Sequence, residues 1–258
     1  MANKYFYPHI PPAWIAASPM EKVAGTTFKW ASNLFPESPD NPKNARFDSD
    51  DIVYTVNSLG YREKEFEESY HQYDELFLGF GNSSTAGTGI ADRDIFLRVI
   101  ERSLPNIRIL NLAIAKAAPD TIARMVSCTV PYFLPKCKKL SVIIMWPQDV
   151  RREVFLDHHH EAVTAYSKPP YDGYFFGIDK TSCKYNRDKN THMVELVRQV
   201  YNVDLYTVPY NLYMDSTDEK TVGNDTARDG ASPSPNWHRK FAKVILDQIN
   251  AKAQEKFD

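Results

Sequence analysis

Long apolar runs are missing from this chain of 258 residues, and none approaches the ~20 that a membrane span needs. Met1 to Met20 has no uninterrupted apolar stretch, so no signal peptide is apparent. Neither charge sign is in excess: 31 basic residues stand against 33 acidic ones. That balance offers no field for a polyanion and argues against nucleic acid as a partner. Cysteine is scarce. Cys128, Cys137 and Cys183 are odd in number and lack metal-ligand spacing, so they read as reduced thiols of an intracellular, cytoplasmic protein. His158, His159 and His160 precede Glu161, but three consecutive histidines do not converge on one ion in a regular element. They read as a solvated loop, and no metal or cofactor is expected. Repeats and low-complexity segments are also absent.

What the chain does have is an alternation of short apolar runs with helical periods. The densest signal is Glu75 to Ile90. Leu76 to Phe80 is apolar without alternation, as in a strand buried on both faces of a parallel sheet. Glycines and small polar residues follow, and then Ala91 to Leu104 has helical spacing, with Asp92 as its cap. A strand, a tight turn and a helix put Ser83 at the carboxyl end of a central strand, where open α/β sheets build their sites. The same pattern also fits an ordinary glycine-rich turn.

The remaining segments follow the same rhythm. Residues 1–50 are rich in proline and aromatics and read as an extended arm, anchored by Phe6, Trp14 and Trp30; residues 51–258 form the domain. Asp51 to Asn57 alternates as an edge strand, and 61–73 fits a short helix. Strands are expected at 107–114, 140–146 and 204–208. Helices are expected at 119–134, bending or stopping at Pro131, at 188–201 with Met193, Leu196, Val197 and Val200 inward, and at 236–256. Residues 147–186 and 214–235 read as loops. The predicted fold class is a three-layer α/β/α sandwich around a mainly parallel sheet.

Four blocks in this order carry a family resemblance. They are Gly81-Asn82-Ser83, Asn111-Leu112-Ala113-Ile114, Trp146-Pro147-Gln148-Asp149, and Ala227-Arg228-Asp229-Gly230 followed by Pro233. With Asn57-Ser58-Leu59-Gly60-Tyr61-Arg62 and Asp120-Thr121-Ile122-Ala123-Arg124 alongside, they resemble the SGNH (GDSL-type) hydrolases, especially members from phage and environmental sequences. The resemblance spans about residues 50–250. It implies a flavodoxin-like parallel sheet, the SGNH-hydrolase fold, and ester hydrolysis on an acyl or acetyl group of a lipid or carbohydrate. The partner would be a small-molecule, glycan or lipid ester; the oligomeric state is left open.

The resemblance also assigns roles, and the chain departs from them. Ser83 matches the serine nucleophile, with Asn82 where Asp is common. Lys116 stands at the position of the glycine whose N–H helps hold the oxyanion. Gln148 stands where an asparagine side chain serves the same hole. Asp229 matches the acid, but Ser232 replaces the histidine base. A serine hydroxyl is a poor nucleophile without a base, and Asp229 alone is a weak one. The expected outcome is weak or absent activity by the usual triad, or a non-catalytic protein binding through the old cleft. Two rescues stay open: a Ser83–Lys116 pair, and a relocated histidine. For the latter, His238 fits a surface or capping residue better than a base, and His192 an exposed one. Trp146 and Arg151 fit substrate contact and loop packing equally.

Overall fold

The computed structural model describes residues 24–29, 52–149, 151–156, 159–163, 180–208 and 233–255. Its centre is a parallel sheet of four strands, β3 (Glu75–Phe80), β4 (Ile107–Asn111), β5 (Leu140–Met145) and β8 (Asp204–Val208), in the order β4-β3-β5-β8. Every pairing is parallel, with Leu78 beside both Leu110 and Val142. The chain starts in the middle, steps to one side, then crosses back. The crevice where direction reverses therefore lies between β3 and β5, at their carboxyl ends.

Strand alternation sends side chains to two cores. On one face Leu76, Leu78, Val142 and Ile144 pack against α3 (Pro119–Phe133) and α4 (Lys180–Tyr201). On the other, Phe77, Ile143 and Met145 meet α2 (Phe96–Ser103) and the terminal helix α5 (Pro235–Gln254). With helices on both faces, the molecule is the expected α/β/α sandwich. α1 (Ser83–Ala86) is one turn long and opens the crevice.

Four of the described strands lie outside the sandwich. β1 (Thr27–Lys29) pairs antiparallel with β2 (Val53–Thr55), so part of the arm contributes a strand to a two-stranded ribbon. Phe6, Trp14 and Trp30 lie outside the described residues. β6 (Arg152–Leu156) and β7 (His159–Val163) form a hairpin.

Several expectations need correction. Residues 61–73 form turns, not a helix, because Tyr61 and Tyr70 are fully buried against the α3 face rather than placed along a helical stripe. The segment 91–104 splits into a short 3-10 turn, Asp92–Asp94, and then α2, so Asp92 does not cap the α-helix. Pro131 lies inside α3, which runs on to Phe133; near a helix's last turn the missing N–H and the ring disturb little beyond it. The 147–186 loop contains a hairpin that takes up His159 and His160, and α4 starts at Lys180, not 188. On α4 the buried side is Cys183, Asn190 and Val194, while Met193, Leu196 and Val200 are exposed. Buried Asn190 donates to Asp120 at 3.1 Å, and that polar tie to α3 sets the rotation of α4 against the apolar period.

The open edge of the sheet, at β4, is sealed by charge. The Ile109 N–H donates to Glu101 at 2.8 Å and the Asn111 N–H to Glu63 at 2.9 Å. Arg98 donates to the Ile109 carbonyl at 2.8 Å. Arg98 and Arg108 each bridge both carboxylates, at 2.6–3.2 Å. Burial opposes the Glu63 charge, but the two guanidinium groups and the Asn111 N–H outweigh it and hold the carboxyl below the usual range.

Candidate functional site

β3 ends at Phe80, and the chain turns within three residues. Gly81 is required there: a Cβ would sit 1.9 Å from Thr85 Oγ1 and 3.1 Å from the Met145 carbonyl. Asn82 is buried and caps α1, its Oδ1 accepting the Ser84 N–H at 2.9 Å. That use of its side chain makes it a positioning residue rather than a free substrate contact. Ser83 is half-buried at the head of α1, and no partner of its hydroxyl is found among the described residues. Gly87 closes the turn in the left-handed conformation, φ 76°.

This turn is held from behind by residues whose roles the sequence did not reveal. Tyr54 donates its hydroxyl to the Gly87 carbonyl at 3.2 Å and accepts the Gly89 N–H at 2.8 Å. Arg62 lies over the Tyr54 ring, 3.7 Å from its centroid. Its η nitrogens donate to the carbonyls of Gly87, Ala86 (3.4 Å), Ile90 (2.8 Å) and Val53 (3.2 Å). The preceding segment presents Arg62: Asn57 Oδ1 accepts the N–H groups of Leu59 (3.1 Å) and Tyr61 (3.0 Å), folding 57–61 into a turn. The Asn57–Arg62 stretch is thus the Ser83 turn's buttress.

Two loops meet Ser83's turn at the sheet's carboxyl edge. From β4, the Ile114 N–H reaches the Gly81 carbonyl at 3.1 Å, and Asn111 Nδ2 the Thr85 carbonyl at 3.4 Å. A tight turn follows, closed by Ala117 N–H to the Ile114 carbonyl at 3.0 Å. Its third residue, Lys116, has φ 64° and an exposed side chain. The backbone at this lysine therefore has a conformation that favours glycine. From β5, Trp146 is buried, with Arg187 of α4 over its ring at 5.0 Å. Arg187 also donates to the Pro147 carbonyl and pairs with Asp149. Trp146 is accordingly a packing residue, not an open aromatic platform. Gln148 is half-buried, and its carbonyl accepts the Arg151 N–H at 3.2 Å. Arg151 Nη1 reaches the Ala117 carbonyl at 3.5 Å, tying the third-block loop to the Lys116 turn.

His238 is neither exposed nor at the crevice surface. It is 1 % exposed, and its Nδ1 accepts the Phe96 N–H at 3.0 Å. It stacks on the Phe96 ring at 5.9 Å. It is a capping histidine, but of α2 rather than of its own helix; Ser234 caps α5. Burial, helped by the Arg62 charge, pushes its pKa down to about 3. Asp229 and Ser232 lie outside the described residues. Of the other described histidine side chains, His71 and His192 are exposed. No group of His, Cys, Asp and Glu suited to a metal occurs among the described residues. The three cysteines are free.

Three solved structures to which the chain is similar are the following. One is a lipolytic protein of the G-D-S-L family from Veillonella parvula, 11 % identical, covering 67 % of this chain and 97 % of its own, with TM-score 0.40. Another is the psychrotrophic esterase EstA from Pseudoalteromonas sp., 11 % identical over 69 % and 98 %, TM-score 0.40. A third is a lipase/acylhydrolase from Enterococcus faecalis, 13 % identical over 69 % and 96 %, TM-score 0.33. No protein-family model matches the chain, and no curated protein does. Of the four sequence blocks, the first two meet where the Ile114 N–H reaches the Gly81 carbonyl, and the loop after the third reaches the turn after the second through Arg151 and the Ala117 carbonyl. Of the fourth, only the closing Pro233 lies among the described residues, and it is buried.

Proposed function

We propose that this protein is an SGNH-hydrolase-like ester-binding protein, descended from an esterase, in which Ser83 receives acyl or acetyl esters of a lipid or carbohydrate with little or no turnover by the usual triad. The observation that carries this reading is the engagement of His238. Its Nδ1 is spent on the Phe96 N–H at 3.0 Å and its ring is buried against Phe96, so it is not available to Ser83. By sequence, Ser232 stands at the family's base position, so the Asp229 block lacks the histidine of the usual triad. Lys116 does not replace it, because an exposed ammonium lacks the burial a serine–lysine base requires. In this reading Gln148 and the backbone N–H of Ser83 are the oxyanion donors that remain.

The test is turnover of a short-chain chromogenic ester, with a fluorophosphonate probe in parallel. Wild type is expected near background, equal to Ser83→Ala, with no labelling of Ser83. The same ester should still raise the melting temperature saturably, and Ser83→Trp should abolish that rise. Ser232→His should produce turnover that depends on Ser83. Wild-type turnover comparable to an ordinary esterase and lost in Ser83→Ala would overturn the proposal. Loss in Lys116→Met instead would assign the serine–lysine mechanism.

A further inference from the structure

Behind the Ser83 turn, on the β4 side of the sheet, lies a cavity of about 380 Å³. Five basic side chains line it, against three carboxylates. The whole chain has a formal charge of −2, so this local excess of positive charge is not a general property of the molecule. Two of the cations, Arg98 and Arg108, are fully matched by Glu63 and Glu101, and the third carboxylate, Asp92, pairs with Arg98 at 3.4 Å. Three cations remain: Arg62, Lys64 and Arg102. None of them makes a direct ion pair with a carboxylate among the described residues, although Asp92, already paired with Arg98, also acts on Arg62 through space.

Arg62 is the telling member. It is 3 % exposed, and a guanidinium in that position keeps its charge under all ordinary conditions. Its η nitrogens are satisfied by carbonyls, but Nε is buried without a hydrogen-bond partner among the described residues. Carbonyl dipoles solvate the charge; they do not neutralise it. Burying an unmatched charge is costly, and structures normally match it with an anion. Lys64 and Arg102 are exposed at the same cavity and add mobile positive ends. The lining's net excess of two positive charges matches a dianion. The volume is that of a small-metabolite site rather than of a single water or halide.

We propose that this cavity binds a small phosphate-bearing molecule, inorganic phosphate or a phosphomonoester, through Arg62, Lys64 and Arg102. A phosphate ester carries close to two charges at neutral pH and several acceptor oxygens, and guanidinium donors suit it geometrically. The site is separate from the ester crevice. It touches that crevice only through Arg62, whose other N–H groups hold the Ser83 turn.

Isothermal titration of the full chain with inorganic phosphate, methyl phosphate and acetate at fixed ionic strength tests this. Phosphate or methyl phosphate should bind saturably, whichever of the two is tighter distinguishing free phosphate from an ester. Acetate should bind at least tenfold more weakly. The exposed pair Lys64→Glu/Arg102→Glu lies outside the buried network and should fold; it should weaken phosphate at least tenfold. Ser83→Ala should leave phosphate binding unchanged. No saturable phosphate binding, equal binding of acetate, unchanged affinity in the double variant, or loss of phosphate binding in Ser83→Ala would each overturn the proposal.

Discussion

His238 shows how much a single residue's surroundings decide. Its ring is buried beside the Arg62 charge, and both disfavour a positive imidazole; its Nδ1 accepts the Phe96 N–H at the head of α2. The ring is therefore held neutral, with a pKa near 3 in the folded state against 6.5 in the unfolded chain. Between those values the unfolded state binds the extra proton. Stability contributed by the neutral ring is thus complete above about pH 6.5 and is lost as the pH falls, by ~1.4 kcal/mol per pH unit. His238→Asn keeps an acceptor for the Phe96 N–H and removes the titration. Urea unfolding at pH 7 and pH 4.5 should show wild type losing about 2–3 kcal/mol more than the variant over that interval. An equal loss in both proteins would refute the assignment. Lys116 gives the converse case, a residue misfitted to its backbone. At φ 64° a side chain costs about 1 kcal/mol or more, partly offset by the extra freedom glycine brings to the unfolded chain. Lys116→Gly is expected to be neutral to stabilising, by up to ~1 kcal/mol, read from the urea midpoint.

At the scale of elements, the one-turn helix carrying Ser83 cannot hold itself in place, since a single turn is far below the length at which helices are stable alone. Its position comes from Gly81 below, Asn111 beside it, and Tyr54 and Arg62 behind. Tyr54→Phe removes one donor to the Gly87 carbonyl and the acceptor of the Gly89 N–H, and should destabilise the protein by about 1–3 kcal/mol in thermal or urea unfolding. A change below a few tenths would mean that water replaces the hydroxyl. This scale also explains what the sequence could and could not disclose. The four sheet strands were legible because continuous apolar runs such as Leu76 to Phe80 have few other homes. α5 was legible from Phe241 and Ile245 at helical spacing. The hairpin β6–β7 was not, because a segment rich in His and charge carries no clean alternation. α4 was misjudged in rotation, since Met193, Leu196 and Val200 form an apolar stripe as regular as the buried one, and only the buried contact of Asn190 with Asp120 decides between them. Of the candidate site, the place of Ser83 followed from its strand and turn. The functions of Tyr54, Arg62 and His238 did not, because each acts across 25 or more residues of sequence on a backbone group that no pattern marks.

For the whole molecule, the governing problem is the β4 edge of an open parallel sheet. An unpaired edge exposes a row of N–H and C=O groups to any other strand. Here Glu63, brought from outside the sandwich by the 57–62 turn, accepts the Asn111 N–H, while Glu101 of α2 accepts that of Ile109. The same carboxylates neutralise Arg98 and Arg108, so one charged cluster joins α2, the edge strand and the Arg62 buttress. A buried network of this kind need not add net stability over an apolar core, but breaking it does harm, because it strands a charge. Glu63→Gln keeps an acceptor for Asn111 and removes the charge; it should cost about 3–5 kcal/mol in urea unfolding, with elution in size exclusion as for wild type. Glu63→Leu removes charge and acceptor together. It should cost at least as much and, by baring the Asn111 N–H at the edge, should shift elution toward larger species as concentration rises. If Glu63→Leu elutes as Glu63→Gln does at every concentration, the carboxylate neutralises charge without guarding the edge. If neither variant loses more than ~1 kcal/mol, water reaches Arg98 and Arg108 freely, and the cluster is a solvated surface rather than the seal of the sheet.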